Sequence, residues 1–156
     1  GRRAIGSLAA PTTRSSLGSV MDCVFCKIVA GQIPAFKVFG DDGTLAFMDI
    51  NPVSEGHVLV VPTLHFENLF DADDGALGRV MATARLVARA MRDTLAVDSL
   101  NLIQANGRWA VQSVPHFHLH LIPRRENDGV GFDWLQQPGD MAAIQQIGDR
   151  LSAALA

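Results

Sequence analysis

The chain has no tyrosine and only two cysteines in 156 residues. Two thiols cannot build a disulfide scaffold. No run of 18 apolar residues occurs, so the sequence offers no membrane-spanning helix. A glycine-rich phosphate loop of the GxxxxGK[ST] type is also missing. So is an excess of positive charge: the formal net charge is −3, which argues against a protein whose task is to grip a nucleic-acid backbone. What remains is ordinary globular composition, 48% hydrophobic and 19% charged. A chain of this length buries roughly 68–70% of the surface it exposes when unfolded, enough for a real core in one domain.

The charge is unevenly spread. Residues 1–20 hold Arg2, Arg3 and Arg14 and no acid, so the other 136 residues carry ten bases against sixteen acids, a net of −6. This first segment is rich in Gly, Ser and Thr and has no apolar period. It reads as a disordered tail, with Met21 a natural start and residues 21–156 the domain. An Arg-rich, acid-free leader also fits an organelle transit peptide. No apolar stretch follows Arg2-Arg3, so an export signal is not expected and a cytoplasmic location is.

Within the body, Lys37–Gly40 and Leu45–Ile50 read as short strands parted by the turn formers Asp41, Asp42 and Gly43. His57–Val61 reads as a third strand, Leu100–Gln104 as a fourth and Phe117–Ile122 as a fifth. Asp73-Asp74 can cap a helix whose stripe is Leu77, Val80, Met81, Ala84, Val87, Ala88, Met91 and Leu95. Arg79, Arg85, Arg89 and Arg92 fall off that stripe, as a solvated face would. A last helix near 140–155 carries Met141, Ile144, Ile147, Leu151 and Leu155 on one side. Strands gather about one long helix without βαβ alternation. The expected class is therefore α+β, with an antiparallel five-stranded sheet, one long helix and a C-terminal helix.

Three of the five histidines sit in His116-Phe-His118-Leu-His120. Alternation on a strand sends the three imidazoles to one face and Phe117, Leu119 and Leu121 to the other. A strand rises about 3.3 Å per residue, so His116 and His120 begin about 13 Å apart and cannot easily share one ion. At least one ring is left for chemistry. Cys23-x-x-Cys26 has metal-ligand spacing, but a redox dithiol or two buried thiols fit it equally well. With His65 and His116 it would complete a tetrahedral structural site.

These residues resemble the signature of the histidine triad (HIT) nucleotide hydrolases and transferases. The resemblance runs over residues 22–134 and is nearest the Hint-like bacterial branch. Cys23-Val-Phe-Cys-Lys-Ile28 with Ile33-Pro34, Leu45–His57, Val60–His65, Asn106-Gly107 and Gln112-Ser113 all resemble family segments. It implies His118 as the nucleophile on the α-phosphorus, with His120 and Ser113 on the phosphate oxygens or leaving group. It implies Asn106 and Gln112 at the phosphate end and Asp49 on the ribose. Phe25, Ile28, Ile33, Phe47 and Ile50 would enclose the base, and His57 would stand at the nucleotide site. In zinc-carrying members, Cys23, Cys26, His65 and His116 would be the ligands. His116 would then serve zinc, or support His118 if no zinc is bound. Val111 departs from the family, where Gly is common, and Pro115 stands where an aromatic or long residue is common.

The implied activity is hydrolysis of nucleoside 5′-phosphoramidates or related conjugates of AMP or GMP through a nucleotidyl-histidine. Structural zinc is the expected metal, with none needed for catalysis, and a homodimer is the expected assembly. No nucleic-acid or membrane partner is expected. Dinucleoside polyphosphate hydrolysis, a non-catalytic nucleotide-binding module and a CxxC oxidoreductase are the competing readings. On residue pattern alone, Phe25, Ile28, Phe47 and Ile50 read equally well as core, Asp49 as a turn cap and His57 as a structural histidine.

Overall fold

The computed structural model describes residues 22–132 and 136–156, so the expected tail over 1–20 lies outside the described residues. The elements in chain order are α1 (Val24–Val29), β1 (Lys37–Gly40), β2 (Thr44–Met48), β3 (Val58–Pro62), α2 (Asp74–Leu95), β4 (Ser99–Ile103), β5 (Leu119–Arg124) and α3 (Met141–Leu155). One antiparallel sheet takes the order β1-β2-β3-β5-β4. The α+β architecture is as the sequence led us to expect.

Period-two alternation gives this sheet two buried faces. Ala46, Val58, Val60, Leu119 and Leu121, with Phe117, pack in one cluster with α2 residues Ala76, Val80, Ala84, Val87 and Met91. The intervening Leu45, Phe47, Leu59 and Val61 pack instead with Phe25 and Ile28 of α1. Leu121 is wholly buried; cutting such a side chain to Ala costs about 2–5 kcal/mol. The α2 stripe differs from the expected one in detail. Ala76 and Thr83 are buried while Met81 is 53% exposed. Thr83 faces the sheet because its hydroxyl meets that of Thr44 at 2.7 Å. Asp73 caps α2 by accepting from Ala76 N at 2.7 Å.

Two strand ends retreat by two residues for physical reasons. β2 stops at Met48 because Asp49 N bonds to His57 O and begins a turn. In that turn Gly56 has φ +88, and a Cβ there would press on Leu95 Cδ1 at 2.9 Å, so a side chain would be strained. β5 begins at Leu119, not Phe117, because His116 N turns back to Val114 O and Phe117 N is taken by Phe66 O. Helix α1 is absent from the sequence reading: six residues are too few to show a helical period, and its cap is a thiol, Cys23 Sγ accepting from Cys26 N at 3.4 Å. The expected C-terminal helix is present, but none of its residues is buried.

Candidate active site

The lead-in to β5 carries His116 and His118 and the strand itself His120, and each ring has a different fate, set by what its other nitrogen touches. His118 sits 2% exposed, and its Nδ1 donates to the carbonyl of His116 at 2.7 Å. That bond places the ring proton on Nδ1 and leaves the Nε2 lone pair free. Burial lowers the His118 pKa below the usual histidine value, opposed in part by the hydrogen bond to His116. The ring is therefore neutral at pH 7, the form in which imidazole is a nucleophile.

His118 borders a cavity of about 410 Å³. Phe25, Ile28, Ile33, Phe47, Asp49, Ile50, Ser113 and His120, all singled out in the sequence, share its lining. Leu59 and Val114 line it too, and sequence reasoning missed them. Leu59 was readable, since alternation on β3 places it on the face of Val61. Phe25 also grips the triad edge-on, 5.2 Å from His118 and 5.9 Å from His116 between ring centroids.

His57 is 2% exposed and stands behind His120 rather than in the cavity wall. Its Nδ1 accepts from Val53 N at 3.2 Å. A neutral His57 therefore carries its proton on Nε2, which lies 2.9 Å from His120 Nδ1. His120 accepts there, so its own proton sits on Nε2. His118 and His120 are thus opposite tautomers, one presenting a lone pair and the other an N–H. Burial, then the neighbouring His118 and His57, push the His120 pKa down to about 4. Burial also lowers that of His57, against the attraction of Asp49. Asp49 both lines the cavity and caps a turn, its Oδ1 accepting from Asn51 N at 2.8 Å.

Asp49, His57 and His120 lie close enough to resemble a three-ligand metal site. The Val53 N–H argues otherwise: an ion on His57 Nε2 would force the proton onto Nδ1, against another donor. The cluster is built for hydrogen bonding.

Asn106 and Gln112 fall outside the cavity lining and stitch loops together. Asn106 Oδ1 accepts from Leu69 N at 2.7 Å. Gln112 Oε1 accepts from Gly107 N at 2.8 Å, and its Nε2 donates to Glu67 O at 2.7 Å and Val114 O at 3.0 Å.

At the other end of the triad, His116 is fully buried, with both ring nitrogens engaged. Nε2 donates to Pro62 O at 2.9 Å, leaving Nδ1 unprotonated. Nδ1 lies 3.1 Å from His65 Nδ1, 3.4 Å from Cys23 Sγ and 3.5 Å from Cys26 Sγ. Cys26 Sγ lies 3.2 Å from His65 Nδ1. A tetrahedral zinc with Zn–N of about 2.0–2.1 Å and Zn–S of about 2.3 Å has donor–donor edges of about 3.3–3.8 Å. The four donors fit such an ion after a small outward movement, and the carbonyl-held imidazole is the usual arrangement of a metal-bound histidine. Burial, then Cys23, push the Cys26 thiol up to about 12; a cation would reverse that and hold the thiolates. His116 has no free nitrogen to act as an acid. What it offers the site is its carbonyl, held against His118 Nδ1.

The HIT domain family model matches residues 30–127. A HIT family protein of Bacillus subtilis is 39% identical, with a TM-score of 0.81 over 86% of this chain and 98% of that one. A zinc-bound histidine triad family protein of Mycobacterium smegmatis is 34% identical, with a TM-score of 0.69 over 84% of this chain and 99% of that one. Among curated proteins, adenosine 5′-monophosphoramidase HNT1 of Saccharomyces cerevisiae is 38% identical over 92% of this chain and 90% of its own length. With the fold, the triad and these likenesses in agreement, the chain belongs to the HIT domain family.

Proposed function

We propose that the protein hydrolyses nucleoside 5′-phosphoramidates, adenosine conjugates first among purine ones, through a nucleotidyl intermediate on His118. The observation that carries this reading is the 2.7 Å bond from His118 Nδ1 to the His116 carbonyl, which aims an unprotonated Nε2 at a nucleotide-sized cavity. The similarity to a yeast adenosine 5′-monophosphoramidase supports the substrate class.

The base enters between Phe25, Ile28, Ile33, Phe47 and Ile50, and the ribose meets the Asp49 carboxylate. His118 Nε2 attacks the α-phosphorus, a P–Nε2 bond forms, and the P–N bond to the amine breaks with its electron pair. The departing nitrogen takes a proton from the Ser113 hydroxyl, which regains one from water. His120 Nε2–H donates to a phosphoryl oxygen as charge builds there. Water then attacks phosphorus and loses its proton along the Ser113 path. The P–Nε2 bond breaks, returning its pair to His118 and releasing the monophosphate. Zinc, when bound at Cys23, Cys26, His65 and His116, supplies a structural anchor for the loop bearing the triad.

The homodimer expected from the sequence joins this proposal. Edge strand β4 leaves Leu102 46% exposed, as a strand that pairs with a second copy would. Among the described residues, no helix is long and apolar enough to cross a membrane.

The test is rapid acid-free quenching of the protein mixed with adenosine 5′-phosphoramidate, followed by intact-mass and peptide mapping. An adenylyl adduct on His118, absent in His118→Asn, is expected. Release of the monophosphate with no adduct on any histidine would overturn the mechanism, and no release at all would overturn the activity.

A further inference from the structure

The loop between β4 and the triad is both exposed and strained. Trp109 is 87% exposed and Val111 83% exposed. Val111 also holds φ +61 and ψ 39, a left-handed backbone that a β-branched residue rarely adopts. Arg108 lies over Trp109, its Cζ 4.3 Å from the ring centroid, and makes no ion pair among the described residues. Strain and exposed apolar surface in one short segment are features to be explained by a ligand.

The loop is held rigidly. Gln112 ties Gly107 to Glu67 and Val114, and Gln112 N also bonds back to Gly107 O at 3.2 Å. It is continuous with the active site, since Val111 stands two residues before cavity-lining Ser113. Two residues span no more than about 7 Å. In-line attack by His118 sends the leaving group away from that ring, toward the cavity rim where Ser113 is exposed.

We propose that Arg108, Trp109 and Val111 form the platform that receives the leaving group, and that it selects an aromatic amine carrying a negative charge. The indole and the Val111 methyls give a planar ring a surface to stack on. The guanidinium, which makes no ion pair among the described residues, gives a carboxylate a partner. This rests on the phosphoramidase reading and names the half of the substrate which that reading leaves open.

The test compares kcat/KM for three adenosine 5′-phosphoramidates: the unsubstituted amide, the benzylamine conjugate and the phenylalanine conjugate with its carboxylate free. Wild type should favour benzylamine over the unsubstituted amide and phenylalanine over benzylamine. In Trp109→Ala the first ratio should fall about tenfold, the order expected of a lost aromatic stack. In Arg108→Gln the second ratio should fall while the first holds. Both side chains are exposed, so neither variant threatens the fold. Ratios unchanged by these substitutions, or a wild type indifferent to the amine, would overturn the platform. A wild type that cleaves none of the three would instead overturn the phosphoramidase reading.

Discussion

The two ends of the triad use the same side chain for different purposes. At His116 the ring proton is on Nε2, held by the Pro62 carbonyl, so Nδ1 points at two thiols and His65. At His118 it is on Nδ1, held by the His116 carbonyl, so Nε2 points at the cavity. At His120 the Val53 N–H, acting through His57, leaves the proton on Nε2. One carbonyl, one carbonyl and one amide thus leave three chemically identical imidazoles with different free nitrogens, which the proposed function uses as ligand, nucleophile and donor. Residue identity does not assign these roles; the backbone group at the far side of each ring does.

The largest break in that comparison comes at the cavity end. His118→Asn should lower turnover by about a thousandfold or more, because it removes the nitrogen proposed to attack phosphorus. Its melting temperature should stay near wild type, as circular dichroism would show.

At the cluster end the loss should fall on stability instead. Cys23→Ser with Cys26→Ser, or exhaustive chelation, should remove one equivalent of zinc and lower Tm by about 10 °C. Elemental analysis and calorimetry would check this. A wild type that binds no zinc would refute the structural-anchor assignment.

A smaller effect sharpens the boundary between the two ends. His57→Ala leaves His120 free to change tautomer, and should reduce kcat by about a hundredfold with little change in KM. A raised KM with kcat unchanged would mean that His57 only shapes the pocket.

The smallest effect is a slope. The His120 pKa lies near 4 in the fold, below the ordinary histidine value of about 6.5. Between these values the unfolded chain binds more protons, so stability falls as pH drops through that window and is intact above it. His120→Gln should make the decline of Tm between pH 6.5 and 4.5 shallower.

Much of this molecule is legible from residue order alone. Alternation in Leu45–Phe47, Val58–Val61 and Phe117–Leu121 sets the strands and their two faces, because side chains on a strand switch sides at every residue. The spacing of Val80, Ala84, Val87 and Met91 sets α2 for the equivalent helical reason. The pairing of Cys23 and Cys26 with two histidines, and the single-sided triad, follow from sequence pattern and family resemblance. Other features have no local signature. Thr83 rather than Met81 faces the sheet because of a hydroxyl contact 39 residues distant. His57 backs His120, and Asn106 and Gln112 tie loops rather than line the cavity, through partners scattered along the chain. Residue order by itself determined which groups are available and, on the strands, which face each occupies, since those depend on local periodicity. Only the tertiary structure decided which nitrogen of each histidine is free, since a ring's proton is placed by whichever backbone group the fold brings against it.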